Sequence, residues 1–155
     1  MNQELNSPDS NTGVVTLHIP SRYGYLRVLR QTVMDTCIRA GLSEFEAAQL
    51  EMAVDEACAN IIEHGYGETP GRESGLPNDG IHVNLIQQND GVVVEIYDRG
   101  RGFDIDSAPT VRPHDYLESD QERGLGLFII NRFVDGLDYE RGTPSGNCLR
   151  LIKRI

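Results

Sequence analysis

The chain has 155 residues, 25% of them charged and 39% hydrophobic, which is the make-up of an ordinary globular protein long enough for one buried core. Its formal net charge of −10 disfavours nucleic acid as a partner, because binding a polyphosphate backbone draws on clustered Lys and Arg. The same acidity suits a protein partner with a basic surface, or serves only to keep the chain dispersed.

Residues 1–13 are polar and rich in Asn, Ser, Asp and Gln, and they read as a disordered tail ahead of one domain over 14–155. They lack the basic start and apolar run of a signal peptide. No stretch approaches the roughly 20 apolar residues that span a bilayer, so the expectation is a cytoplasmic protein with no membrane association. Cys37, Cys58 and Cys148 are odd in number and far apart. They form no C-x-x-C pair, which argues against a disulfide framework or zinc site and fits a reducing compartment.

Val15, Leu17 and Ile19 alternate with polar residues, predicting a strand with one buried face. Pro20-Ser21 ends it, and Ser21 is placed to cap a helix over about Tyr23 to Arg39, stopped by Gly41. Ser43 and Glu46 have the spacing of a capping box. The helix they open carries an apolar stripe of Leu50, Val54, Ala57 and Ile61 and ends at Gly65. Gly67 to Gly80 is rich in Gly, Pro and charge and reads as a loop. A hairpin follows, with Ile81, Val83 and Leu85 on one strand, an Asn89-Asp90-Gly91 turn, and Val92, Val94 and Ile96 on the other. Phe103 to Gln121 has no period and carries Pro109 and Pro113; a loop of that length in a compact domain is usually functional or mobile. Leu127, Ile130, Phe133 and Val134 mark a third helix ending near Gly136. Strands Leu137 to Arg141 and Cys148 to Ile155 close the chain around Thr143-Pro144-Ser145-Gly146. This order predicts an α+β sandwich of two layers, a mainly antiparallel sheet covered by helices on one face.

Three segments carry chemistry. Glu56 and Asn60 stand one turn apart on one helical stripe, beside the apolar stripe rather than opposite it. A carboxylate there can take a proton or orient a nucleophile, and an amide oxygen can ligate Mg²⁺; alternatively both are solvated surface residues. His64 extends the stripe by a turn, where a histidine usually meets only the last carbonyls. Asp98 shares the parity of Val92, Val94 and Ile96, so it faces inward and needs donors, such as an adenine amino group or a backbone amide. Gly100 and Gly102 would let the main chain approach a flat ring closely, or would do ordinary turn work. Gly124 and Gly126 precede the third helix, whose free amides and dipole favour an anion, and Arg123 offers a planar fork for phosphate. Neither a G-x-x-x-x-G-K-[ST] nor a G-x-G-x-x-G is present.

In this order the segments resemble the GHKL superfamily of Bergerat-type ATP-binding domains, shared by gyrase, the ninety-kilodalton chaperones, histidine kinases and mismatch-repair ATPases. The N box reads as Glu56/Asn60, the G1 box as Asp98/Gly100/Gly102 and the G2 box as Gly124/Gly126. The wording from Asp55 to Tyr66, with Gly124 to Ile130, is similar to bacterial anti-sigma factors that are serine/threonine protein kinases. The resemblance implies Glu56 as general base, Asn60 as the Mg²⁺ ligand and Asp98 as the acceptor for the adenine amino group of ATP. It implies that Gly100 and Gly102 line the base. Gly124 and Gly126 would sit by the phosphates with Arg123, under a lid over about Ile105 to Gln121. It further implies a STAS-type anti-anti-sigma protein as substrate, a sigma factor as second partner, and a homodimer.

About 13 residues precede the first strand and the chain ends at Ile155, so the expectation is a stand-alone nucleotide-binding domain acting on a protein. Two other readings stand beside the kinase: a non-catalytic switch whose partner affinity follows the bound nucleotide, and an ATPase without a protein acceptor. A base at position 56 favours the enzyme.

Overall fold

The computed structural model describes residues 12–68, 79–102 and 122–155. The tail ahead of residue 12, the middle of the loop after Gly67, and the lid expected over Ile105 to Gln121 lie outside the described residues.

Five strands form one antiparallel sheet in the order β1-β2-β3-β5-β4: β1 Gly13–Ile19, β2 Ile81–Gln88, β3 Gly91–Asp98, β4 Gly136–Thr143 and β5 Gly146–Arg154. Period-2 patterning works as expected in the centre. Val83 and Leu85 of β2, Val92, Val94 and Ile96 of β3, and Leu149 and Leu151 of β5 are all buried against the helices. At the outer edge the pattern fades. Ile19 is buried and Leu17 partly so, but Val15 is exposed, because α1 packs over β2 and β3 and its cover falls away toward the start of β1. The α+β sandwich is as the sequence implied.

Helix α1 spans Leu26–Ala40 and buries Leu29, Val33 and Cys37. The expected cap at Ser21 is not made. A 3₁₀ turn, Tyr23–Tyr25, leads into the helix instead, and the Ser21 hydroxyl is buried without a hydrogen bond. At the other end Gly41 takes the left-handed conformation at φ 98° and donates back to Cys37 and Ile38 carbonyls. Helix α2, Glu44–Asn60, opens on the expected capping box: the Ser43 N–H donates to Glu46 Oε2 at 2.8 Å, and the Glu46 N–H to Ser43 Oγ at 3.2 Å. Its stripe of Leu50, Val54, Ala57 and Ile61 is wholly buried. Beyond Asn60 the helix widens into one π turn, Ile61–Gly65, with the Tyr66 N–H donating to the Ile61 carbonyl at 2.9 Å. Such wide turns often mark functional sites.

Helix α3 spans Glu122–Phe133 and packs on α2. It starts earlier than the sequence suggested, so Gly124 and Gly126 lie inside its first two turns rather than in a loop ahead of it. Packing along α2 outweighs the poor helix propensity of two glycines. Lys153, buried at the end of β5, fastens this layer by donating to Gln49 Oε1 of α2 at 2.8 Å and to the Phe133 carbonyl of α3 at 3.0 Å.

Candidate functional site

The π turn brings the end of α2 against the loop after β3. Arg101 N–H donates to the Gly65 carbonyl at 2.9 Å. An added Cβ on Gly100 would lie 2.7 to 2.9 Å from Gly65 backbone atoms, so only glycine lets the two chains meet. Tyr66 spans the same junction, accepting the Arg99 N–H at 3.0 Å and donating to the Gly80 carbonyl at 2.9 Å. Gly102 sits at φ 76° with Arg141 and Tyr139 side chains closing on the space a Cβ would take. The close approaches expected of Gly100 and Gly102 are thus made first to the protein's own chain.

Asp98 ends β3 facing the helices and is 4% exposed, as its parity required. Its Oδ1 accepts the Gly100 N–H at 2.8 Å and the Asn147 amide at 3.1 Å. Burial pushes the Asp98 carboxyl above the usual carboxylate range, against the downward pull of these two donors. Asn147 is its cross-strand partner on β5. The same amide nitrogen donates to the Gly100 carbonyl at 3.0 Å, while its oxygen accepts the Gly142 N–H at 3.0 Å. Neither Asn147 nor Tyr66 was singled out as a site residue. For Asn147 the signal existed: it shares the inward parity of Leu149 and Leu151, where a polar residue needs a reason.

Glu56 and Asn60 lie half-buried on the face of α2 that meets α3. Gly126 is buried directly against them: an added Cβ would run into the Glu56 carboxylate and come within 3.1 Å of Asn60 Nδ2. The fold therefore joins the first and third motifs, and the glycine is there for the approach. Desolvation raises the Glu56 carboxyl above its ordinary value, with Asp55 and Glu63 adding in the same direction. His64 is half-buried beside Glu63, its Nε2 3.8 Å from the carboxylate. The backbones of Arg123 and Gly124 are helical; the Arg123 side chain lies outside what is described.

The donor set suits a nucleotide: an inward carboxylate at Asp98 for an amino group, an amide at Asn60 that can offer oxygen to a hard cation, and a carboxylate at Glu56 with raised proton affinity. Among the described residues no helix is long and apolar enough to cross a membrane.

A family profile described as a histidine kinase-like ATPase domain matches residues 19–153. Two relatives are both named serine-protein kinase RsbW. The one from Oceanobacillus iheyensis is 30% identical over 94% of this chain and 89% of its own length. The one from Bacillus cereus is 28% identical over 79% of this chain and 74% of its own. A crystal structure of the RsbU and RsbW domains of a Mycobacterium tuberculosis protein shares the fold, with a TM-score of 0.62 at 20% identity over 92% of this chain. The present chain spans 32% of that crystallised chain.

Proposed function

The chain belongs to the histidine kinase-like ATPase domain family, and from that premise we propose that it is an ATP-dependent serine/threonine protein kinase acting as an anti-sigma regulatory factor. Its substrate is an anti-anti-sigma protein of the STAS type, its second partner a sigma factor, and it works as a cytoplasmic homodimer. The names of its relatives support the kinase class. The observation that carries the reading is the half-buried Glu56, with its raised carboxyl, one turn from Asn60 and capped by Gly126.

Asp98 is assigned to the adenine amino group. Both of its described donors use Oδ1, so Oδ2 is the oxygen it presents to a ligand. Asn60 is the ligand for Mg²⁺, which would neutralise charge on the phosphates when bound. Gly100 and Gly102 border the base, and Arg123, Gly124 and Gly126 the phosphate end. Glu56 takes the proton of the acceptor Ser or Thr as its oxygen bonds the terminal phosphorus. The bond from that phosphorus to the bridging oxygen breaks, and ADP leaves with the electron pair. Desolvation raises the proton affinity of the Glu56 carboxyl, which makes it a better proton acceptor there than an ordinary glutamate.

The test is calorimetry with ATP and GTP in the presence of Mg²⁺. The wild type should prefer ATP, and Asp98→Ala or Asp98→Asn should lose binding, since the carboxylate suits an amino group and repels the guanine carbonyl. Equal affinity for ATP and GTP would remove Asp98 from this role.

A further inference from the structure

The α2 helix has a ridge that neither neighbouring helix covers. On one flank Arg30 of α1 reaches across to Asp55 at 2.9 Å and Glu51 at 3.8 Å. On the other flank Lys153 holds Gln49, and Gly126 of α3 rests against Glu56 and Asn60. Between these flanks run Phe45, Ala48 and Met52, and the ridge ends at Glu56. Phe45 is 72% exposed and Met52 46%. Met52 stands one turn before Glu56 and Phe45 three turns before it, at about 6 Å and about 16 Å by the helical rise.

Every charged residue of α2 is acidic, namely Glu44, Glu46, Glu51, Asp55 and Glu56. Among the described residues Arg30 pairs with two of them, and Lys153 favours the charge on Glu46. A partner lying on this ridge must therefore bring cations around its apolar contact, since like charges set against one another are costly.

We propose that the ridge of Phe45, Ala48 and Met52 is the docking surface for the protein that delivers its hydroxyl to Glu56, and that this protein meets it with apolar side chains flanked by Lys or Arg. The proposal rests on the kinase reading of Glu56 and names how the acceptor is recognised. The geometry sets a spacing. An extended acceptor segment rises about 3.3 Å per residue, so side chains about two and about five residues from the phosphorylated hydroxyl fall over Met52 and Phe45. The two large side chains are about two turns apart, and anchors of this kind carry most of the energy of a small interface.

The test uses the purified anti-anti-sigma protein as acceptor, with Phe45→Ala/Met52→Ala and the harsher Met52→Glu. Both changes lie on an exposed surface and leave the nucleotide residues intact. Steady-state phosphorylation should show KM for the acceptor raised about tenfold or more, with kcat and ATP affinity within about twofold of wild type. Calorimetry against the unphosphorylated acceptor should show the same loss. An unchanged KM in a working kinase overturns the ridge and leaves the kinase standing. Binding that needs Phe45 and Met52 but transfers no phosphate keeps the ridge and removes the kinase. A wild type that does not bind the acceptor at all overturns the docking surface.

Discussion

The two ends of the site are built in opposite ways. Around Asp98 every approach is secured by hydrogen bonds: Gly100 and Asn147 onto Oδ1, Asn147 again onto the Gly100 carbonyl, Gly142 onto Asn147, and Arg101 onto Gly65. Around Glu56 and Asn60, among the described residues, neither side chain has a hydrogen bond, and the contact with Gly126 is one of proximity alone. The first end is fixed before any ligand arrives. The second can yield, because what meets Gly126 is the far end of flexible side chains rather than backbone. A purine ring is rigid and rewards a preformed slot, whereas catalytic groups are often loosely held in a free enzyme and tighten onto their partners only in the complex.

The largest effect should come from the yielding end. Glu56→Gln keeps the shape and loses the base, so phosphorylation of the acceptor should fall about 10²- to 10⁴-fold with ATP affinity little changed. A wild-type rate in that variant would favour the non-catalytic switch. The pH dependence carries the same signature. The base works only when ionised, so the wild-type rate should fall on acidification at a pH above that of an ordinary glutamate. A raised carboxyl binds its proton more tightly folded than unfolded. Its contribution to stability is therefore present at low pH and lost as pH rises through the folded value. Glu56→Gln should consequently melt higher than wild type near pH 7, with the difference closing in acid.

A pair of glycine substitutions sharpens the contrast next. Gly100→Ala puts a methyl into the Gly65 backbone, which has nowhere to go, and should cost about 1 to 3 kcal/mol, a drop of several degrees in Tm. Gly126→Ala meets only side chains, and the alanine restores helix propensity worth about 1 kcal/mol. Its Tm should move little while the kinase rate falls, because Glu56 and Asn60 are pushed aside. Equal melting losses in the two variants would show that the ends are equally rigid.

The smallest expected change is at Asn147. Asn147→Ala removes one of the two donors that hold down the Asp98 carboxyl. ATP affinity at pH 7 should drop about threefold to tenfold, the worth of about one hydrogen bond. The pH at which affinity is lost on acidification should also move upward. A loss of affinity with no movement in that pH would leave Asn147 a purely structural strand residue.

Much of this was legible in the chain. The parity of Asp98, the capping box at Ser43 and Glu46, and the rim position of Glu56 and Asn60 all follow from local spacing, and the structure keeps each. The misses are contacts between distant segments. Nothing near Gly124 and Gly126 announces that α2 will hold them in a helix. Nothing near Ser21 announces that Tyr23–Tyr25 will form a 3₁₀ turn and bury its hydroxyl. For Gly100 the sequence offers a ligand ring or ordinary turn work, but not its approach to Gly65, a relation set by tertiary packing. Asn147 lay in plain alternation with Leu149 and Leu151, but its partner Asp98 is 49 residues away.

The π turn at Ile61–Gly65 acts as a metering device. An α-turn would close the same stretch with one residue fewer, and each residue of helix turns the chain by about 100°. The single surplus residue sets which way Gly65 presents its carbonyl when it meets Arg101 and Gly100. Between Asn60 and that junction the chain is thus specified by its length as much as by its side chains. A one-residue deletion there would uncouple the two halves of the site while sparing every residue that forms them.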